Sequence, residues 1–268
     1  MKTFKATIHI GLGDIIYTRG QFDPVKHLYD RIEISFNKML YGLHDDNYPI
    51  FLNDLGKLLF SEHPYVLTDA DHPHLNPVDM AKEAKPCKPD LKNILCKGNS
   101  LNLGSEYIVL TTKLRYFRRN IFNSLSNELF NTIKELSNKY KIVVLGEKII
   151  EMNNEYKFWG NNEIYSIYDD IIKNIPADKL VDLTIPALGI TSPKLSQVQQ
   201  DCLIMKEAKL VISLGVGGNF CMATAVANTV GYRTDNDPIA NAAFDREYPD
   251  AIITKNWTYF IETLKKYL

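Results

Sequence analysis

Asp14 stands after Gly11-Leu12-Gly13, where an apolar run from Lys5 to Ile10 gives way to Ile15-Ile16-Tyr17. A carboxylate at the top of a strand, entering a helix, can serve as a general base or simply cap the helix. A second glycine cluster, Gly215-Val216-Gly217-Gly218-Asn219, follows the buried-type run Leu210-Val-Ile-Ser-Leu214 and opens a small-residue segment from Phe220 to Thr229. Glycines there let a backbone approach a ligand closely. The free N–H groups and positive end of the next helix favour a phosphate. Gly11, Gly13, Gly217, Gly218 and Asn219 are therefore candidate binding residues, the alternative being tight turns packed against neighbours.

Lys113, Arg115, Arg118 and Arg119 gather just after the apolar run Tyr107–Thr111. Cations near the carboxyl end of a strand suit a departing diphosphate, which needs positive charge as it leaves. The alternative is a solvated helix start, although a helix N-terminus disfavours cations. Glu147 follows Gly146 at the end of the next strand, where it could accept from a sugar or ribose hydroxyl or cap a loop. Asp69, Asp71, His72 and His74 lie within T-D-A-D-H-P-H. Crowded into six residues, they cannot easily surround one ion, so no metal site is expected. His9 is expected to face one side of the first strand as a structural residue. No Ser-His-Asp or Cys-His arrangement can be argued.

The 268 residues carry 31 Lys+Arg against 32 Asp+Glu, a formal net charge of -1. A phosphate-neutralising nucleic-acid binder usually has a basic excess, so no nucleic-acid partner is expected. Four spread cysteines, Cys87, Cys96, Cys202 and Cys221, read as reduced thiols of a cytoplasmic protein. Neither a secretory signal nor a membrane-spanning run is expected, which leaves peripheral membrane contact open. At 45% hydrophobic residues the chain can fill one large core or two modest ones.

The elements that must position these residues alternate. Strands are expected at Lys5–Ile10, Arg31–Phe36, Tyr65–Leu67, Tyr107–Thr111, Lys141–Leu145, Leu180–Leu183, Lys209–Leu214 and Ala251–Ile253. Helices are expected over 49–60, Asn120–Lys139, Ile164–Ile172, Phe220–Thr229 and Trp257–Tyr267. One more should start at Ser192-Pro193 and bury Leu195, Val198, Cys202 and Met205. Residues 71–104, broken by Pro73, Pro77, Pro86 and Pro89, read as irregular. The expected class is α/β: two Rossmann-like domains facing a cleft, 1–104 reduced and 105–268 fuller, with ligands beyond the carboxyl ends of the strands.

The order of these landmarks resembles the GT-B-fold glycosyltransferases, in particular the bacterial heptosyltransferase-like family. The features that carry the likeness are Gly11-Leu12-Gly13-Asp14, Tyr107-Ile-Val-Leu-Thr-Thr-Lys113, Val143-Val-Leu-Gly146-Glu147, Val181-Asp182-Leu183-Thr184 and Ala208-Lys-Leu-Val-Ile-Ser-Leu-Gly-Val-Gly217. The resemblance implies an inverting, metal-independent glycosyltransferase without a resident cofactor. It moves a sugar from a nucleotide-diphosphate donor to a glycan or other hydroxyl acceptor. Asp14 would be the catalytic base and Lys113 a diphosphate contact. Gly217, Gly218 and Asn219 would hold the diphosphate by backbone N–H groups, and Asp182 and Thr184 would lie near the nucleoside. Where the family usually reads D-T-G-x-S-H, this chain has Gly215, Val216 and Phe220 at the Asp, Thr and His places. That departure motivates a second reading, a non-catalytic nucleotide- or glycan-binding protein on the same scaffold; a further enzyme reading of the scaffold is a sugar-nucleotide epimerase. An NAD-dependent oxidoreductase ranks last, because the glycine spacing is wrong.

Overall fold

Alternating apolar side chains make the strands of one parallel sheet, nearly continuous apolar runs make those of a second, and helices pack on their apolar faces. The computed structural model describes residues 1–8, 11–38, 46–73, 90–115, 119–150, 164–188, 194–215, 218–233 and 251–268. The first sheet holds β1 (Thr3–Ile8), β2 (Arg31–Phe36) and β3 (Tyr65–Leu67) in the order β1-β2-β3, all parallel. Helix α1 (Leu12–Phe22) joins β1 to β2, and α2 (Tyr48–Leu59) precedes β3. Phe4, Ala6, Ile8, Ile32 and Ile34 face the core. The alternate positions Lys5, Thr7, Arg31, Glu33 and Ser35 form a polar face, with Glu33 paired to Lys5 at 3.2 Å and to Arg31 at 2.8 Å. Most parallel sheets are apolar on both faces. This one is apolar on one.

The segment His72-Pro73 straps the free edge of β1. Thr7 N–H donates to the Pro73 carbonyl at 2.9 Å, and His72 N–H donates to Thr7 Oγ1 at 3.0 Å. The His72 ring lies 3.4 Å from a Glu33 carboxylate oxygen. His72 and Pro73 thus do edge-covering work, since an uncovered edge invites pairing with other chains. His9, His74 and Cys87 lie outside the described residues.

The second sheet has six parallel strands: β4 (Tyr107–Thr111), β6 (Lys141–Leu145), β9 (Leu180–Asp182), β11 (Leu210–Leu214), β12 (Thr229–Tyr232) and β13 (Ala251–Thr254). Their spatial order is β13-β12-β11-β4-β6-β9. That is the doubly wound order, reversing direction between β4 and β11, where such sheets open a crevice for ligands. Helix α4 (Arg119–Leu136) buries Phe122, Leu129, Ile133 and Leu136 on one face of this sheet, beside α8 (Trp257–Lys265). Helices α6 (Leu195–Glu207) and α7 (Gly218–Val226) lie on the other. Short α3 (Lys92–Leu95) and α5 (Tyr168–Asn174) complete the set.

Several expectations are corrected. The run Ile164–Ile172 is not one helix: β8 (Ile164–Ser166) pairs antiparallel with β5 (Lys113–Arg115), and only then does α5 begin. Periodicity cannot distinguish a short apolar strand from a helical turn; here the pairing partner decides. Lys113 and Arg115 therefore sit on a strand and not at a solvated helix start. Two further strands, β7 (Glu147–Ile150) and β10 (Ile185–Leu188), pair parallel with each other. Together β5, β7, β8 and β10 form a crown above the carboxyl ends of β4, β6 and β9. The helix expected from Phe220 to Thr229 ends at Val226, and Thr229–Tyr232 is a strand of the main sheet. Ser192 and Pro193 lie outside the described residues; α6 starts at Leu195 with Lys194 at its cap position.

Helix α7 is apolar around its whole circumference, and Phe220 through Val226 are all buried. Such a helix needs cover on every side. Its own sheet covers one side, while α1 of the first half packs along another. One buried cluster consequently runs from Ile8, Ile15 and Ile34 through Phe220 and Ala223 to Val143 and Val211, joining both sheets.

Candidate functional site at the sheet reversal

Helix α1 starts directly after Gly11, which occupies the cap position with φ -64° and ψ 135°. Asp14 is thus the third residue of the helix and not its cap. Its carboxylate folds back over Gly11 so closely that any side chain at position 11 would overlap it. Gly13 lies between them in the first helical turn. An acidic side chain there is favoured by the helix dipole.

The second glycine cluster meets the first. A Cβ placed on Gly218 would stand 3.2 Å from Leu12 Cδ2. The start of α1, with Asp14, therefore lies against the start of α7. Gly215 ends β11 with φ +74°, and its N–H donates to the Tyr232 carbonyl at 2.8 Å. The positive φ explains a glycine at this place. Val216 and Gly217 lie outside the described residues. Phe220 is buried, and a Cβ on Gly231 would stand 2.6 Å from its Cε2. The ring fills the space that the missing side chain of Gly231 leaves.

At the carboxyl ends of β4 and β6 a polar group assembles. Thr112 Oγ1 donates to the Glu147 carbonyl at 2.9 Å, as does Ser166 Oγ at 2.6 Å. Lys113 Nζ lies 3.6 Å from Glu147 Oε1. Glu147 Oε2 is buried and has no hydrogen-bond partner among the described residues. Gly146, just before it, has φ +114°; a Cβ there would overlap Thr112 Oγ1 and lie 3.2 Å from Asn219 Nδ2. The Asn219 side chain thus reaches from the start of α7 to the end of β6. Asp201 on α6 is a neighbour that sequence reading passed over, because nothing in its spacing marks it. It accepts from Gln197 at 2.7 Å. Burial pushes its carboxyl up to about 6; the Gln197 hydrogen bond opposes this, and the charge of Glu147 adds to the rise.

The structure brings Gly11, Gly13, Asp14, Gly218 and Asn219 to one place, with Lys113 and Glu147 at the adjoining strand ends. Arg115 is the last residue of β5; its side chain lies outside the described residues. Arg119 donates to Asp170 at 2.7 Å and lies over the Tyr165 ring. It is engaged within its own half, and Arg118 is not described. Asp182 is saturated by protein. Lys148 lies 2.9 Å from its Oδ2, Tyr168 donates at 2.7 Å, and Thr184 N–H donates at 3.0 Å. Burial works against ionisation of Asp182, but the hydrogen bonds from Lys148, Thr184 and Tyr168 outweigh it and hold the carboxyl well below the usual range. Asp182 and Thr184 so tie the crown to β9. Among the described residues no group of three or more His, Cys, Asp or Glu could hold a metal ion, and no helix is long and apolar enough to cross a membrane.

No family model matches the chain, and no curated protein matches its sequence. Solved structures do share its fold. The ADP-heptose LPS heptosyltransferase II of E. coli aligns at a TM-score of 0.52 with 12% identity, covering 100% of this chain and 98% of that one. The E. coli heptosyltransferase WaaC, in a structure with ADP, aligns at 0.50 with 10% identity, covering 100% of both chains. The chain therefore has the GT-B-like α/β fold of heptosyltransferase structures, as the order of its motifs led us to expect.

Proposed function

We propose that the protein is a glycosyltransferase that moves a sugar from a nucleotide-diphosphate donor to a hydroxyl acceptor. The observation that carries this reading is the meeting of the two glycine clusters at the sheet reversal, with Asp14 on one side and the start of α7 on the other. A helix N-terminus offers unpaired N–H groups to a diphosphate. Gly218 and Asn219, with Gly217 before them, would hold the phosphates, and Gly13 beside Gly11 keeps the opposing backbone close. Lys113 supplies positive charge to the leaving group, with Arg115 on the same strand, while Glu147 accepts from a ribose or sugar hydroxyl.

The reaction is a single displacement that inverts the anomeric carbon without a metal. The acceptor oxygen forms a bond to that carbon as the bond to the diphosphate oxygen breaks. The diphosphate leaves with the electron pair, and Asp14 takes the acceptor proton. The fold supports this reading by likeness to heptosyltransferases, one of them solved with ADP. Replacing Asp14 by Asn should reduce transfer by about 10²–10⁴-fold, the usual worth of a general base, while nucleotide binding persists. The assay is sugar transfer across a panel of nucleotide sugars, with thermal shift over nucleoside diphosphates to report binding. Undiminished transfer by the variant removes Asp14 from that role.

The burial of Phe220 favours one second reading, a binding protein without turnover. No imidazole stands at that position, and its ring turns into the core instead of toward a ligand. Nucleotide binding with no transfer from any donor by the parent protein would favour it.

A further inference from the structure

We propose that the Asn219 carboxamide is a specificity-determining contact to the nucleoside half of the donor, acting beside Glu147. The inference rests on the nucleotide-sugar reading above and goes beyond it, because sequence reasoning assigned Asn219 only its backbone N–H.

Asn219 is the second residue of α7, yet its side chain leaves the helix start and lies over the end of β6, with Nδ2 3.2 Å from the Cβ position of Gly146. It is partly exposed and has no hydrogen-bond partner among the described residues. A carboxamide offers two N–H donors and one acceptor. Leaving them unused in a half-buried crevice is unfavourable unless a ligand or water takes them up. The residue after Gly146 is Glu147, whose Oε2 is likewise without a partner there. A donor and an acceptor with spare capacity thus flank one bare glycine at the strand end.

This combination does not suit a phosphate, which accepts only and is repelled by a carboxylate. It suits hydroxyls, which donate and accept together, and the ribose of a nucleotide presents two side by side. Lys113, 3.6 Å from Glu147 Oε1, offsets part of the carboxylate charge toward the diphosphate side. Gly146 is bare for a local reason as well: a methyl group there would press on the carboxamide.

The test is calorimetric titration of the full chain with ADP, GDP, UDP, CDP and inorganic pyrophosphate, comparing the parent with Asn219→Ala and Asn219→Ser. For whichever nucleotide binds, its 2′-deoxy form is added, with Glu147→Gln as a second variant. Loss of one net hydrogen bond is worth about tenfold in affinity. Both Asn219 variants should bind the nucleotide about tenfold more weakly, hold pyrophosphate as the parent does, and unfold at the parent's temperature. Nucleotide binding equal to the parent's overturns the assignment, as does an equal loss for pyrophosphate. If Glu147→Gln loses discrimination against the 2′-deoxy form while the Asn219 variants bind like the parent, the nucleotide-sugar reading stands and the Asn219 assignment falls. If the parent binds none of the four nucleotides, both fall.

Discussion

Replacing Gly146 by alanine should damage both the stability of the protein and the geometry of the strand ends. The residue has φ +114°, where an L side chain costs about 1–3 kcal/mol. Its methyl group would overlap Thr112 Oγ1 and lie 3.2 Å from Asn219 Nδ2 and 3.4 Å from the Thr112 nitrogen. Thr112 is fully buried and its hydroxyl donates to the Glu147 carbonyl, so it cannot swing aside without losing that bond. Overpacking of this kind costs about 1–3 kcal/mol. The smaller entropy of an unfolded alanine returns about 0.4–1 kcal/mol. The net loss should be about 2–4 kcal/mol, lowering Tm by roughly 4–8 °C in a chain of this size. Urea unfolding of Gly146→Ala measures it, in the parent and in a Thr112→Ala background. Removing the hydroxyl relieves the overlap but not the backbone strain, so the penalty should fall to about 1–2 kcal/mol in the second background. A penalty below about 0.5 kcal/mol in the parent, or one unchanged by Thr112→Ala, refutes the reasoning.

Asp201→Asn should stabilise the protein at neutral pH. A carboxyl raised from 3.8 to about 6 in the folded state favours its protonated form, so its contribution is fully present below pH 3.8 and lost as pH rises through about 6. The full shift corresponds to about 3 kcal/mol, which partial solvent contact reduces to about 1–2 kcal/mol. Unfolding of parent and variant across pH 3–8 should converge at the acid end and differ by a constant amount above about 6.5; a variant less stable at pH 7.5 contradicts the account. Gly231→Ala places a methyl 2.6 Å from the buried Phe220 ring and should cost about 1–3 kcal/mol. Combining it with Phe220→Leu should cost less than the sum of the two single changes, and strict additivity in urea unfolding would show that the two positions do not share that space.

Five of the six strands of the main sheet were legible as short, largely apolar runs closed by glycine or polar residues, as Tyr107–Thr111 and Lys141–Leu145 are. The amphipathic helix α4 was legible from its spacing, to within three residues at its end. The crown was not. β5, β7, β8 and β10 have three or four residues each, too few for any period to register, and they form only because β4, β6 and β9 deliver their continuations side by side. β12 was hidden for a related reason: Thr229–Tyr232 follows a helix of small apolar residues with no strong stop signal, and only its place beside β11 makes it a strand.

The candidate site divides in the same way. Sequence alone determined the residue types and the order: Asp14 behind two glycines, a cation after the first strand of the second half, an acid after Gly146, and a glycine-rich helix start. These follow from local backbone demands, such as the positive φ at Gly146 and Gly215. Tertiary structure decided which polar groups are already used and which are left over. Arg119 lies in the same cationic cluster as Lys113, and Asp182 was a candidate beside Glu147, yet Asp170 engages the first, while Lys148, Tyr168 and Thr184 engage the second. Asp201 and the Asn219 carboxamide drew no attention in the sequence, because a side chain's unused hydrogen-bonding capacity depends on neighbours brought from distant segments. That information exists only once α1 lies on α7 and the strand ends of β4 and β6 stand beside them.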